Sequence, residues 1–198
     1  MKNAILGNSM KKSLMLLVVG VYFFFFTFPV MATEKTDNGF MALEFFASSQ
    51  TRQEGHGKSG TEPEGVALGF SSPPFVDDRL AITIGYIGMG VRFENDLTTP
   101  DGRKWKSASI NGIEGGIRWI VGGPNSAVGL LLGGIWASAC GVAHQEEGCV
   151  TSGNAHGFRI GIQVKPIIFS YRQIDMNIGG LGNVVIQTES IGIVLARF

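Results

Sequence analysis

From His156 to Lys165 the chain alternates with a period of two. Phe158, Ile160, Ile162 and Val164 fall on one face, and Arg159, Gly161, Gln163 and Lys165 on the other. Successive side chains of extended backbone point to opposite sides, so this period marks a strand whose two faces meet different surroundings. The pattern recurs along the chain. Met41, Leu43, Phe45 and Ala47 oppose Ala42, Glu44, Phe46 and Ser48; Val66, Leu68 and Phe70 alternate with Ala67, Gly69 and Ser71. Ile113, Ile117, Trp119 and Val121 oppose Glu114, Gly116 and Arg118, and beyond Pro166 the residues Ile167, Phe169 and Tyr171 alternate with Ile168, Ser170 and Arg172.

Eight such segments lie near 39–49, 64–72, 79–93, 107–121, 127–143, 155–165, 167–177 and 186–198. The connections alternate too: those at 72–78, 122–126 and 165–166 are short, whereas 50–63, 94–106, 144–154 and 178–185 are longer and polar. Alternating segments of about ten residues, joined by short turns on one side and long loops on the other, describe a transmembrane β-barrel with its long loops outside the cell. Only a closed barrel satisfies strand backbones in lipid. The expected fold is therefore all-β: a transmembrane antiparallel up-and-down barrel of eight strands, with both termini in the periplasm.

Two segments break phase. In the third, Leu80, Ile82 and Ile84 are even, whereas Ile87, Met89, Val91 and Phe93 are odd; a β-bulge or a misplaced boundary accounts for such a switch. In the last, Ile191, Ile193 and Leu195 are out of phase with Phe198. Ala127–Ala143 carries no charge, and Gly129 and Gly133 are spaced as in helix-packing motifs. Glycine and alanine dominate one parity of that run, however, with Val128, Leu130, Leu132 and Trp136 on the other, which favours a strand. Glycine is the outstanding residue, 29 of 198, and most of it sits inside alternating segments, where it signals bends or close backbone approach.

The N-terminus carries an address. Lys11 and Lys12 precede the uncharged stretch 14–32, which ends Pro29-Val-Met-Ala32 before the polar Thr33-Glu-Lys-Thr. A basic start, an apolar core and a small residue at the cut describe a secretory signal peptide over 1–32, removed to leave a barrel domain over 33–198. Met10-Lys-Lys-Ser would itself make a conventional start. The rival reading is an uncleaved helical anchor, since about 20 apolar residues suffice to span a bilayer.

Charge excludes some functions. The chain has 16 bases and 16 acids, and removing the signal takes away Lys2, Lys11 and Lys12 but no acid, leaving a mildly acidic domain. Nucleic-acid binding would call for a concentrated basic face. Glu44, Glu114, Arg118, Arg159, Lys165 and Arg172 all lie opposite the apolar face. The interior of an eight-stranded barrel is narrow enough for side chains to fill, so these six are expected to pair in a lumenal network that replaces a hydrophobic core. A narrow gated pore is the functional alternative. Cys140 and Cys149 are the only cysteines, and an oxidising compartment favours a disulfide between them as a loop staple. Arg92, Arg103, Lys104 and Lys106 surround the second long connection and could touch anionic lipopolysaccharide. His56, His144 and His156 fall on long loops or at a strand mouth. His144 with Glu146 and Glu147 shows no fixed ligand spacing, so no metal is expected, nor any cofactor. Gly85, Gly88 and Gly90 sit inside a strand with no helix after them, and carry no weight as a nucleotide loop.

The signal, the eight segments, the four long loops and Phe198 together resemble small bacterial outer-membrane barrels of the opacity, adhesin and OmpA-like type. That resemblance implies a monomeric integral protein of a Gram-negative outer membrane. Its implied partners are membrane lipid, lipopolysaccharide, the barrel-assembly machinery during biogenesis and an external protein ligand. A second likeness, over about thirty residues, is to the lipid A deacylase barrels. Laying Arg172–Leu181 and Glu189 against that family's His-x-Ser-Asn strand and later acid puts Asp175 where the His stands, Asn177 at the Ser and Ile178 at the Asn; only the acid, Glu189, is kept. Acyl hydrolysis needs an activated hydroxyl and a base, so no catalytic residue is assigned and no enzyme activity is expected.

Overall fold

The structure, a computed structural model, describes residues 39–53, 58–98, 104–122, 126–143, 149, 151–179 and 182–197. The expected signal peptide lies outside them, as do His56, Arg103, His144, Glu146, Glu147 and Phe198. Eight strands follow one another: β1 (Phe40–Gln53), β2 (Lys58–Ser71), β3 (Leu80–Thr98), β4 (Lys104–Ile120), β5 (Val128–Ala143), β6 (Thr151–Val164), β7 (Ile167–Ile178) and β8 (Gly182–Arg197). Each pairs antiparallel with the next, and β8 closes on β1. Closure leaves no row of unpaired backbone donors and acceptors, which a lipid-facing sheet could not tolerate. The helical alternative for Ala127–Ala143 gives way to β5, which pairs with β6 without a break from Gly141 opposite Thr151 to Val128 opposite Val164.

The strands overrun the alternating segments at the long-loop end. β2 starts at Lys58, β3 reaches Thr98 and β6 starts at Thr151, so much of what reads as polar loop is strand. The reason lies in how the two faces change along the barrel. In the half nearest the short turns, the outward residues are apolar and exposed: Phe45 on β1, Phe70 on β2, Ile82 and Ile84 on β3, Ile117 and Trp119 on β4, Leu130 and Leu132 on β5, Ile160 and Ile162 on β6, Phe169 on β7 and Ile191 on β8. Nearer the long loops the outward positions become polar, with Ser48, Glu64, Arg92, Asn111, Ser138, Asn154 and Glu189 all exposed. The lumen changes in the opposite sense. Ile87, Met89, Val91, Ile110, Ile135, Ile174, Met176, Val184 and Ile186 are buried together at the long-loop end. The molecule has one half made like a membrane protein and another, here termed the collar, made like a soluble one.

This inversion corrects the expectation of a bulge in the third segment. Pairing of β3 with β2 is regular throughout, and pairing with β4 is regular from Leu80 to Arg92. Ile82 and Ile84 face out while Ile87, Met89, Val91 and Phe93 face the lumen. The apolar residues change parity because the apolar side of the wall changes, not because the backbone slips. The last segment does carry a bulge. Met41 stands opposite Ala196 but Ala42 opposite Val194, so Leu195 is an extra residue in β8. Parity flips across it, and even-numbered Ala196 joins the exposed face that Ile191 holds. A second bulge at Ala47, between the Phe46–Ser190 and Ser48–Glu189 pairs, moves β1's inward parity from Glu44 to Ser49 and Thr51.

The outward apolar stretch covers three or four alternate positions on most strands. At about 3.3 Å per residue and a tilt near 40°, that spans on the order of 20 Å, close to the band of a membrane barrel. Aromatic rings mark its upper edge. A Cβ on Gly134 would come within 2.8 Å of the Trp136 ring, so that glycine lets the indole lie flat on the wall. Tyr86 hydroxyl donates to Asn111 Oδ1 at 3.1 Å, with its ring on the apolar side and its oxygen on the polar one, as in interfacial aromatic belts.

Candidate functional site

Between the apolar core of the collar and the short-turn end, the lumen is crossed by two arginines and two glutamates from four strands: Glu44 on β1, Glu114 on β4, Arg159 on β6 and Arg172 on β7. All four are buried. Arg172 grips Glu114 with two donors, Nε to Oε2 at 2.9 Å and Nη2 to Oε1 at 3.0 Å, while Nη2 also reaches Glu44 Oε2 at 3.1 Å. Arg159 donates from Nη1 to Glu114 Oε1 at 3.1 Å and from Nη2 to Glu44 Oε1. Hydroxyls take the remaining valences. Arg159 Nε donates to Ser170 Oγ at 3.1 Å, Arg172 Nη1 to Ser190 Oγ at 2.6 Å, and Ser190 Oγ to Glu44 Oε2 at 2.9 Å. Charges balance within the cluster, and the paired donors make it geometrically selective.

Backbone without side chains seats the acids. A Cβ on Gly192 would come within 2.4 Å of Glu44 Cγ, and one on Gly85 within 3.1 Å of Glu114 Cγ. These are the close approaches that glycine within strands foreshadows. Below the cluster, Phe40, Ala42, Leu131 and Ile168 form a second buried apolar group with Val194 against it. The cavity that reaches Glu44, Glu114 and Arg159 is about 20 Å³, room for about one water.

Four of the six expected network residues therefore meet. Arg118 and Lys165 do not join them. Arg118 is fully buried nearer the short turns, where Nη1 donates to Gln163 Oε1 at 3.3 Å and the guanidinium lies 4.7 Å from the Phe40 ring centroid. Lys165 sits half-buried in the turn between β6 and β7, past the last residue of the strand. Face parity cannot separate these heights, because strand tilt carries residues of one face to different levels. Nor does the ion cluster replace a hydrophobic core, as the sequence suggests; it underlies one.

At the long-loop end Cys140 and Cys149 are joined, with Cα atoms 5.6 Å apart. The bridge staples the end of β5 to the chain just before β6. Arg92, Lys104 and Lys106 are exposed on the upper part of β3 and β4. His156 is not at a loop. It is exposed within β6, directly opposite Trp136 on β5 and Asp175 on β7. Asp175 stands opposite Val185 and Glu189 opposite Tyr171, so two outward steps with Gln187 between them separate these acids. Among the described residues, no group of His, Cys, Asp and Glu is placed to hold a metal ion.

No protein-family model matches the chain, and no curated protein is similar to it in sequence. Solved structures are similar in fold. The attachment invasion locus protein Ail of Yersinia pestis superposes with a TM-score of 0.51 at 13% identity, over 80% of this chain and 99% of that one. Neisserial surface protein A superposes with a TM-score of 0.54 at 11% identity, over 83% of this chain and all of the other. The fold is thus that of the small eight-stranded outer-membrane barrels.

Proposed function

We propose that this chain is a monomeric, non-conducting barrel of a Gram-negative outer membrane, exported through a cleaved signal and inserted by the barrel-assembly machinery. Its collar and long connections act as an interaction surface for lipopolysaccharide and external protein partners. The observation that carries this reading is the inversion of polarity: an apolar exterior about 20 Å tall over a lumen holding the ion cluster, then a polar exterior over an apolar-packed lumen. A lumen blocked at three levels, by the collar core, the ion cluster and the Phe40 group, supports a plug rather than a pore. The exposed Arg92, Lys104 and Lys106 supply cations near lipid phosphates, and Arg103 adjoins them in sequence. A surface role is also what the names of Ail and Neisserial surface protein A express for those proteins.

The same reading makes the chain a non-enzyme. In the deacylase register Ile178 faces the lumen, Asn177 offers no nucleophilic hydroxyl, and Asp175 and Glu189 stand apart. The direct test is fractionation of expressing cells followed by electrophoresis with and without heating. A heat-modifiable band in the outer-membrane fraction is expected; a heat-insensitive band in the inner membrane would overturn the proposal. Reproducible conductance steps in planar bilayers would restore the pore. Loss of lipid A acyl chains on overproduction, abolished by Asp175→Ala or Glu189→Ala, would restore the enzyme.

A further inference from the structure

The collar is not uniform around its circumference. On β3 and β4 the charged residues described as exposed in the collar are basic: Arg92, Lys104 and Lys106. Across β6, β7 and β8 the outward side chains are of another kind: Asn154 and His156, then Gln173 and Asp175, then Gln187 and Glu189. This sector has amides, carboxylates and an imidazole, and no lysine or arginine among the outward residues described there. Side chains in it already lie along the wall, since Gln187 Nε2 donates to Gln173 Oε1 at 3.4 Å and Ser48 Oγ to Glu189 Oε2 at 3.1 Å. The wall itself is rigid sheet, with β6–β7 and β7–β8 in register over their whole paired lengths. Ile174, Met176, Val184 and Ile186 pack tightly behind it.

We infer that this sector is a lateral saccharide-binding face, occupied by the neutral sugars of the lipopolysaccharide core that surrounds the barrel. The inference rests on the outer-membrane reading given above. Three features single out that occupant. The face begins where the apolar band ends, at Phe158 and Tyr171, so its neighbours at that height are the groups just above the lipid acyl chains rather than the acyl chains themselves. Planar amides and carboxylates offer donors and acceptors side by side, which suits vicinal hydroxyls, groups that each donate and accept. His156 stands opposite Asp175, but with no lysine or arginine among the outward residues described on β6–β8 the two carboxylates disfavour phosphate there, whereas Arg92, Lys104 and Lys106 on the other side attract it. The collar then sorts one heterogeneous ligand by sector: sugar against β6–β8 and phosphate against β3–β4.

The full barrel in detergent micelles, labelled with 15N, is titrated with dephosphorylated core oligosaccharide released from lipopolysaccharide and, separately, with inorganic pyrophosphate. The oligosaccharide should shift backbone signals of 154–156, 173–177 and 187–189, and pyrophosphate those around 92 and 104–107. The double variant Gln173→Ala/Asp175→Ala should weaken the oligosaccharide roughly fivefold to tenfold, as expected for one or two lost hydrogen bonds, and leave pyrophosphate unchanged. Arg92→Ala/Lys104→Ala should do the reverse. Asn154→Ala/Gln187→Ala serves as a second pair should the first fail to give a heat-modifiable band. Absence of shifts at millimolar oligosaccharide, shifts confined to β3–β4, indifference to both double variants, or equal binding of an unrelated neutral glucan would each overturn the inference. Outer-membrane location is scored separately by fractionation, so this face can fail while the barrel proposal stands.

Discussion

The two halves of this barrel solve the same packing problem with opposite materials. Near the short turns the solvent is hydrocarbon, so Ile82, Ile160 and Phe169 face outward and the lumen can hold Glu44, Glu114, Arg159 and Arg172, provided each is paired. In the collar the exterior carries Asn154, His156 and Glu189, and the lumen is filled by Ile110, Ile174 and Met176. One continuous set of strands spans both regimes, and its backbone pairing is indifferent to the change. What differs is which face of each strand is worth making apolar. The lower half gains nothing from sequestering apolar groups from lipid, and fills its lumen with hydrogen-bonded charges above the small Phe40 group. The upper half gains from burying apolar area, at about 25 cal/mol per Å².

The largest expected effect breaks the lower lumen. Arg172→Met leaves Glu44 and Glu114 with Arg159 as the one arginine of the cluster, and removing one partner of a buried ion group costs about 3–5 kcal/mol; urea unfolding in micelles should show it. Replacing all four charged residues together by apolar residues of similar volume should restore most of that loss. Next comes Ile174→Ala in the collar core, at about 2–5 kcal/mol by the same assay. A matched pair on the exterior of β6 compares the halves directly. Ile160→Arg should cost about 2–4 kcal/mol in a bilayer, whereas Asn154→Arg, six residues away on the same face, should change stability by less than about 0.5 kcal/mol. Equal costs at the two sites would erase the distinction between band and collar. The smallest change that should still be resolved is Cys140→Ser. It should lose roughly 2–3 kcal/mol under oxidising conditions, by loop entropy, and nothing when the wild type is also reduced.

Much of this was legible from residue order, and the parts that were not share a cause. Alternation in His156–Lys165 gave the strand, its inward Arg159 and Gln163 and its outward Ile160 and Ile162, because one face period maps directly onto two environments. Alternation also carried the decisive clue to the inversion, in the parity change between Ile84 and Ile87. With a single environment for each face, that change reads as a bulge or a misplaced boundary. The bulge at Leu195 hid in a strand whose misfit pointed at Phe198. The polar strand end 151–154 reads as a loop for the same reason: alternation signals a strand only where one face is apolar, and here the exposed Ser152 and Asn154 face outward beyond the apolar band. Which lumenal charges meet depends on tilt and register, which set height and are not written in any one strand. Hence Arg118 and Lys165 shared a face with Arg159 without sharing its cluster.

Band and collar are separated by the point where lipid stops along the outward face of each strand. A series of single cysteines at 152, 154, 156, 158, 160, 162 and 164 of β6, made without Cys140 and Cys149 and spin-labelled in liposomes, measures that position through accessibility to oxygen and to a water-soluble nickel chelate. The prediction is a single crossover between 156 and 158, with labels at 158–164 in lipid and labels at 152–156 in water. Lipid-accessible labels as far as 152, or water-accessible labels at 160 and 162, would contradict it.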